Sequence, residues 1–212
     1  AGPLTITATS SEPLPAVPTI FIDQQGTTDI NPPAPMSGTA GGTVFTYTYA
    51  VGVADGASYK DGTATVRVFG TDYHGNQTPA GTTPASGGTF EIDTTAPTFA
   101  ITYSRTSPVK AGAVTMTVTA NEALASAPTI SVDQPGTTDI SSAATSGSGP
   151  YTYDYTVVAA IAGTYVDGTA TVTVTGTDLA GNPGTTITSG STFAIDSTPP
   201  TVTSVVRASS AA

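Results

Sequence analysis

Two stretches of this chain, "KDGTATVRVFGTDYHGN" (residues 60–76) and "VDGTATVTVTGTDLAGN" (166–182), are near copies of one another. Each reads as a strand with apolar residues at alternate positions running into an acidic turn, the period of a half-buried β-strand. The duplication covers almost the whole chain. "PTIFIDQQGTTDI" (18–30) recurs as "PTISVDQPGTTDI" (128–140), "FTYTY" (45–49) as "YTYDY" (151–155), and "GGTFEID" (87–93) as "GSTFAID" (190–196). The offset is 110 for the first pair (128 against 18), 106 for the second (151 against 45) and 103 for the last (190 against 87). It changes only after Ile30 and after the acidic turn, as packed strands with variable connections require. Alternation is equally clean in "LTITATS" (4–10) and "TVFTYTYAV" (43–51), and no window carries an apolar stripe of helical period and length.

Composition narrows the function classes. Charged residues are 9% of the chain, against about 25% in ordinary soluble domains. The net charge of −10 sets fifteen acids against five Lys plus Arg, so there is no basic stripe for nucleic acid or an anionic membrane surface. No apolar run approaches the ~20 residues of a membrane span. No signal peptide is present in the sequence; an exported protein would carry these residues as its mature form, outside the cell or on its surface. With no cysteine, the cores must stand on packing and hydrogen bonds, with or without bound ions.

Around seven short strands per ~100 residues predicts an all-β chain of two immunoglobulin-like sandwiches in tandem. The junction "IDTTAPT" (92–98), the elements "SEPL" (11–14) and "NEAL" (121–124), and the turn "GTDxxGN" recur in order. In these motifs the chain resembles the tandem bacterial Ig-like repeats of large extracellular surface and adhesin-type proteins. The resemblance implies a structural, adhesive role and no catalysis. It also implies strand names for the second repeat: A at 97–104, B at 113–122, C at 127–132, F at 168–176 and G at 192–196.

The repeats are cut in an unusual place. Aligned at 110, Ala1 corresponds to Ala111, so the first repeat (1–93) begins at strand B and lacks strand A. The second repeat (94–196) runs from A to G. Aligned at 103, the tail "STPPTVTSVVRASSAA" (197–212) corresponds to "TTAPTFAITYSRTSPV" (94–109), a strand A followed by no domain. One expectation is a filament subunit that joins copies of itself head to tail, each tail filling the strand-A position of the next subunit's first domain, since an uncovered strand edge is a template for strand addition. Val202, Val205 and Val206 are the candidate anchors of the donated strand, and which face turns inward depends on register. The alternatives are a two-repeat excerpt of a longer stalk acting as a spacer, and a ligand-binding adhesin module. Against the last, the loops 78–88 and 141–149 are small and polar, without the aromatic anchors of recognition surfaces.

The acidic turns raise the question of a metal. In the strand order that the resemblance implies, strand B ends, strand F ends and strand A begins at one pole. Asp93, Glu122 and Asp178, with the amide of Asn182, then converge at the seam between repeats. Hard oxygen ligands drawn from loops suit Ca²⁺, and surface repeats of the resembled family often bind calcium at their linkers. The matching intersubunit set is Glu12, Asp72 and Asn76, completed by Asp196 of a neighbouring copy. Asp61 and Asp167 read as turn or cap residues at the opposite pole, and Asp23–Asp29 and Asp133–Asp139 as brackets of hairpin turns.

Nothing points to an enzyme. His74, the one histidine, is matched by Ala180 in the sister repeat, and zinc or redox chemistry lacks ligands. No glycine-rich phosphate motif follows a strand and opens a helix. Lys60 is matched by Val166 and Lys110 lies in a loop, so the repeats share no lysine for an isopeptide crosslink.

Overall fold

The computed structural model describes residues 2–26, 30–79, 84–162 and 164–207, leaving aside the side chains of 137–139. Every regular element among them is a strand. The chain divides into two units, Ala1–Thr95 and Ala96–Ala212, each a two-sheet β-sandwich.

In the second unit the strands are β7 (Thr98–Tyr103), β8 (Gly112–Ala120), β9 (Thr129–Gln134), β10 (Thr137–Ala144), β11 (Tyr151–Val157), β12 (Gly168–Thr177), β13 (Pro183–Gly184), β14 (Thr186–Ser189) and β15 (Thr192–Ile195). One sheet has the order β11-β8-β7-β14; the other has β10-β9-β12-β13, with β15 also on β12. β7 lies antiparallel to β8, with Phe99 opposite Ala120, Ile101 opposite Val118 and Tyr103 opposite Met116. Its other edge runs parallel to β14. Val114, Met116 and Val118 alternate with threonines along β8 and are fully buried, as are Phe99 from β7 and Ile130 and Val132 from β9. Because side chains alternate between faces, the threonines turn outward while these residues fill the space between the sheets.

The first unit contains β1 (Pro3–Thr9), β2 (Thr19–Asp23), β3 (Ile30–Pro35), β4 (Val44–Ala50), β5 (Gly62–Phe69) and β6 (Thr89–Ile92). Its larger sheet has the order β3-β2-β5-β6. Facing it, β1 pairs with β4 alone among the described residues. Leu4, Ile6 and Ala8 of β1 occupy the places of Val114, Met116 and Val118, yet are only half-buried. Among the described residues, no strand pairs with the edge of β1 that corresponds to the one β7 takes on β8.

The strands expected at 97–104, 113–122, 127–132, 168–176 and 192–196 are β7, β8, β9, β12 and β15, and the repeated "YTYDY" (151–155) lies within β11. β10, β13 and β14 were not foreseen. β10 is mostly Thr, Ser and Ala, and its pairing with β9 slips twice, so it shows little alternation. The second hairpin is also tighter than the expected bracket: Gln134 pairs with Thr137 across Pro135–Gly136, and Asp139 lies inside β10. Gly136 carries a φ of +115° there, a conformation open to glycine. Asp29, the far bracket of the first hairpin, lies outside the described residues.

Each sandwich also contains one buried amide. Gln134 is fully buried; its Oε1 accepts from the Tyr155 hydroxyl at 3.1 Å and from Val158 N–H at 3.1 Å, while Nε2 donates to Val158 O at 2.7 Å. Gln24 does the same in the first unit, with Tyr49 at 2.9 Å and Gly52 N–H and O at 3.2 and 2.9 Å. A buried polar group is tolerated when paired, and removing one partner strands the other. Gln134→Leu should lower stability by about 1–3 kcal/mol, with Gln134→Leu/Tyr155→Phe recovering part of that loss because no hydroxyl is left stranded; urea unfolding measures both.

Candidate metal centre

The turn "TDLAGN" closes on itself because Asp178 and Asn182 bond to each other twice over. Asp178 N–H donates to Asn182 O at 3.2 Å. In return Asn182 N–H donates to Asp178 Oδ1 and its Nδ2 to Oδ2, both at 2.8 Å. Gly181 makes the reversal possible with a φ of +92°. The segment after β8 is pinned to the same place: Leu124 bridges to Asp178, and Ala125 N–H donates to Thr177 O at 2.9 Å. This brings a carboxylate oxygen of Glu122 within 4.8 Å of one of Asp178.

Asp178 is 1% exposed. Burial pushes its carboxyl up, but the hydrogen bonds from Asn182 and from the Gly181 and Ala180 backbone outweigh burial and hold its pKa below the ordinary carboxylate value. It is therefore ionised at neutral pH. Two oxygens on one Ca²⁺, each at 2.3–2.6 Å, stand at most about 5 Å apart, so Glu122 and Asp178 fit that ion. A carboxylate accepts more than the two bonds Asn182 makes. Nδ2 of Asn182 donates to Asp178 Oδ2, and of its side-chain atoms only the amide oxygen has the lone pairs that a cation takes.

In the first unit Asp72 builds the same turn, accepting from His74 N–H at 2.7 Å, Asn76 N–H at 2.8 Å and Asn76 Nδ2 at 2.7 Å. Hydrogen bonds, chiefly from the Asn76 side chain, lower its pKa. Glu12 is exposed. The residue matching Ala125 is Pro15, which has no N–H to donate, so the bond that draws the Glu122 segment onto β12 has no counterpart. Glu12, Asp72 and Asn76 nonetheless line one end of a single groove.

The junction aspartates Asp93 and Asp196 follow β6 and β15 and are exposed. Asp93 Oδ1 accepts Thr95 N–H at 3.1 Å; Asp196 N–H donates to Val109 O at 3.0 Å. Residues 197–207 carry no strand, and Val202, Val205 and Val206 are 84, 88 and 89% exposed.

Asp61 and Asp167 do more than shape a turn. Asp167 Oδ1 accepts Ser197 N–H at 2.9 Å and its hydroxyl at 2.6 Å, while Oδ2 accepts Thr198 N–H at 3.1 Å and its hydroxyl at 2.6 Å. Asp61 holds Thr94 and Thr95 in the same way, at 2.5–2.9 Å. Each carboxylate ties down the chain just after the last strand of its unit. These bonds lower the pKa of Asp167; at Asp61 burial raises it, and the threonine bonds more than compensate. The pattern "DG…ID[ST]T" carries this latch in both repeats, about 30 residues apart, too far for turn rules to connect.

No protein-family model matches the sequence, and no curated protein matches it. Among solved structures, part of a 1.5-MDa bacterial ice-binding adhesin, described for its retention at the host cell surface, superposes with a TM-score of 0.51 at 16% identity. This chain has the fold of an adhesin segment. The match covers 92% of this chain and 58% of the adhesin chain, so the protein spans little more than half of that relative. A tetra-tandem repeat from the extending region of a large adhesion protein is more distant, at a TM-score of 0.33, 20% identity, and 91% and 45% coverage.

Asp178 has a depressed folded-state pKa, so its contribution to stability is complete above the unfolded value near 3.9 and is lost as pH falls through the lower folded value. Asp178→Asn should be less stable than the parent at pH 7, and the difference should shrink as pH falls below the unfolded value near 3.9. Urea unfolding across that range measures it; an unchanging difference would refute the ionised-turn account.

Proposed function

We propose that this chain is a non-catalytic, load-bearing segment of an adhesin-type protein at the bacterial cell surface, a rigid spacer of tandem sandwiches. The observation that carries this reading is the repeated latch. In both units an aspartate at the start of the penultimate long strand holds the residues that lead out of the last one. A spacer needs its direction set at each exit, and four hydrogen bonds at Asp167 set it there. The adhesin fold and the small polar loops support the same role.

Calcium stiffens the joints in this reading. Glu122 and Asp178 supply two carboxylates, Asn182 Oδ1 an amide oxygen, and Asp93 a third carboxylate, carried on the linker five residues before Thr98. Thr98 is itself bonded to Asn121, beside Glu122, at 2.7 Å. A bound divalent ion would neutralise the clustered charge and tie the exit of one repeat to the start of the next. Glu12, Asp72 and Asn76, joined by Asp196 of a second copy, form the corresponding set at an intersubunit joint.

A second reading, a filament of copies joined head to tail through residues 197–212, is favoured by two observations: the open edge of β1 and the exposed valines of the tail. A head-to-tail contact that does not close on itself yields an open fibre.

Calcium titration by calorimetry, with small-angle scattering in calcium and in chelator, tests the spacer. The parent should bind calcium and hold one maximum dimension, while Glu122→Ala/Asp178→Ala should lose the binding and scatter identically in both buffers. A parent that takes up no calcium overturns the metal joint; a parent whose dimension is as broadly distributed in calcium as in chelator overturns the rigid spacer.

A further inference from the structure

The sheet built on β2 and β5 and the sheet built on β9 and β12 differ on their outer faces. In the first unit Phe21 stands opposite Arg67 and Thr19 opposite Phe69; in the second, Ser131 stands opposite Thr173 and Thr129 opposite Thr175. Ile20, Ile22 and Val66 are buried between the sheets, so Phe21, Arg67 and Phe69, at the alternate positions, face outward. Each of the three is half-buried, and Pro35, opposite Thr19 on the edge strand, extends the patch. The Arg67 guanidinium lies over the Phe21 ring, 5.5 Å from its centroid. Such a pair steadies a sheet, but the sister sheet stands without one. Among the described residues no carboxylate pairs with Arg67, and its Nε is buried with no hydrogen-bond partner. Aromatic rings set around an arginine are the make-up of the centre of a protein interface, where these residue types are enriched and carry most of the binding energy.

We propose that this outer face of β2 and β5 binds the same face of a second copy, pairing two chains side by side through their first units. Charge decides the occupant. Arg67 calls for a carboxylate, and the same face supplies one: Asp23 lies two residues beyond Phe21 on β2, opposite Thr65, and is exposed. The face therefore carries both members of an ion pair and is complementary to itself. In a two-fold contact residue i meets j and j meets i, so Arg67 of each copy meets Asp23 of the other and two ion pairs form. Phe21 is next to both residues, across the sheet from one and along the strand from the other, and so meets its own counterpart near the axis. Phe69 and Pro35 widen the apolar contact. Sheets that pack face to face do so at aligned or near-perpendicular strand angles, and a face of two long strands suits either.

The test is sedimentation equilibrium of the full chain. The parent should form dimers as concentration rises and stop there, because a two-fold contact is closed. Phe21→Ser/Arg67→Thr/Phe69→Thr gives the first sheet the outer residues with which the second already folds, and should weaken dimerisation at least about tenfold. Arg67→Asp and Asp23→Arg should each weaken it at least about tenfold by setting like charges opposite one another. An equimolar mixture of those two chains should dimerise again, because both charge pairs re-form between unlike chains. Damage to the fold of either chain could not produce that rescue. The converse is a transfer. Ser131→Phe/Thr173→Arg/Thr175→Phe sets the patch on the second unit, where Asp133 already stands in the place of Asp23, and should carry association beyond the dimer.

A parent that stays monomeric at every concentration overturns the inference, and so does one whose dimer the triple substitution leaves unchanged. Arg67→Asp and Asp23→Arg chains that remain monomers when mixed would overturn it as well, since the pairing of Arg67 with Asp23 is what selects a second copy. Species that grow without limit and ignore the triple substitution would overturn it too, and would assign association to a head-to-tail contact.

Discussion

Closure of each sandwich depends on one strand lying along the outer edge of β8 or its counterpart. In the second unit β7 supplies it. Phe99 and Ile101 reach between the sheets, and Val114, Met116 and Val118 lose all contact with water. In the first unit the corresponding edge of β1 is open, and Leu4, Ile6 and Ala8 remain half-buried. Apolar burial is worth roughly 25 cal/mol per Å² removed from water, so a strand lying along such an edge adds stability by covering it. Such an edge is a liability when left bare and a joint when filled.

The polar groups serve the same end. In each unit the residues that leave the last strand need a fixed direction. Aspartate does this locally. Asp61 and Asp167 gather the backbone and hydroxyl donors of the two residues that leave the last strand, while Asp72 and Asp178 close the turns at the far end of each unit. All four have depressed pKa values for the same reason: hydrogen bonds to the charged form outweigh the burial they suffer. Within the core the equivalent device is the amide of Gln24 or Gln134, which satisfies a tyrosine hydroxyl and a backbone segment together.

Much of this was legible in the residue order. Alternation of apolar residues with threonine placed β1, β4, β5 and β12, because a half-buried strand writes its period directly into the chain, while the resemblance to Ig-like repeats placed β7 and β8 to within a residue or two. Asp178 and Asn182 were recognisable as a turn pair for the same local reason. β10 escaped notice: Ile140 and Ala143, which pack on the core, stand three residues apart, and its two register slips erase the period. Gln134 looked like part of a hairpin turn, since nothing nearby in sequence announces that Tyr155 will stand over it. Asp167 was read as a cap because its partners, Ser197 and Thr198, lie about 30 residues away.

By itself, then, the sequence determined the repeat, the all-β character, the alternating inward face and the acidic turns, all of which are set by contacts within a few residues along the chain. Tertiary structure alone decided which carboxylates meet and which core is finished. Glu122 approaches Asp178 because Leu124 and Ala125 bond to the end of β12, whereas Pro15 denies the first unit that bond. Whether a valine is core or surface likewise depends on what lies across the groove: Val118 is buried under β7, and Val202 stands in water. A linear chain encodes its own periodicity, but burial belongs to pairs of segments, and only folding brings those pairs together.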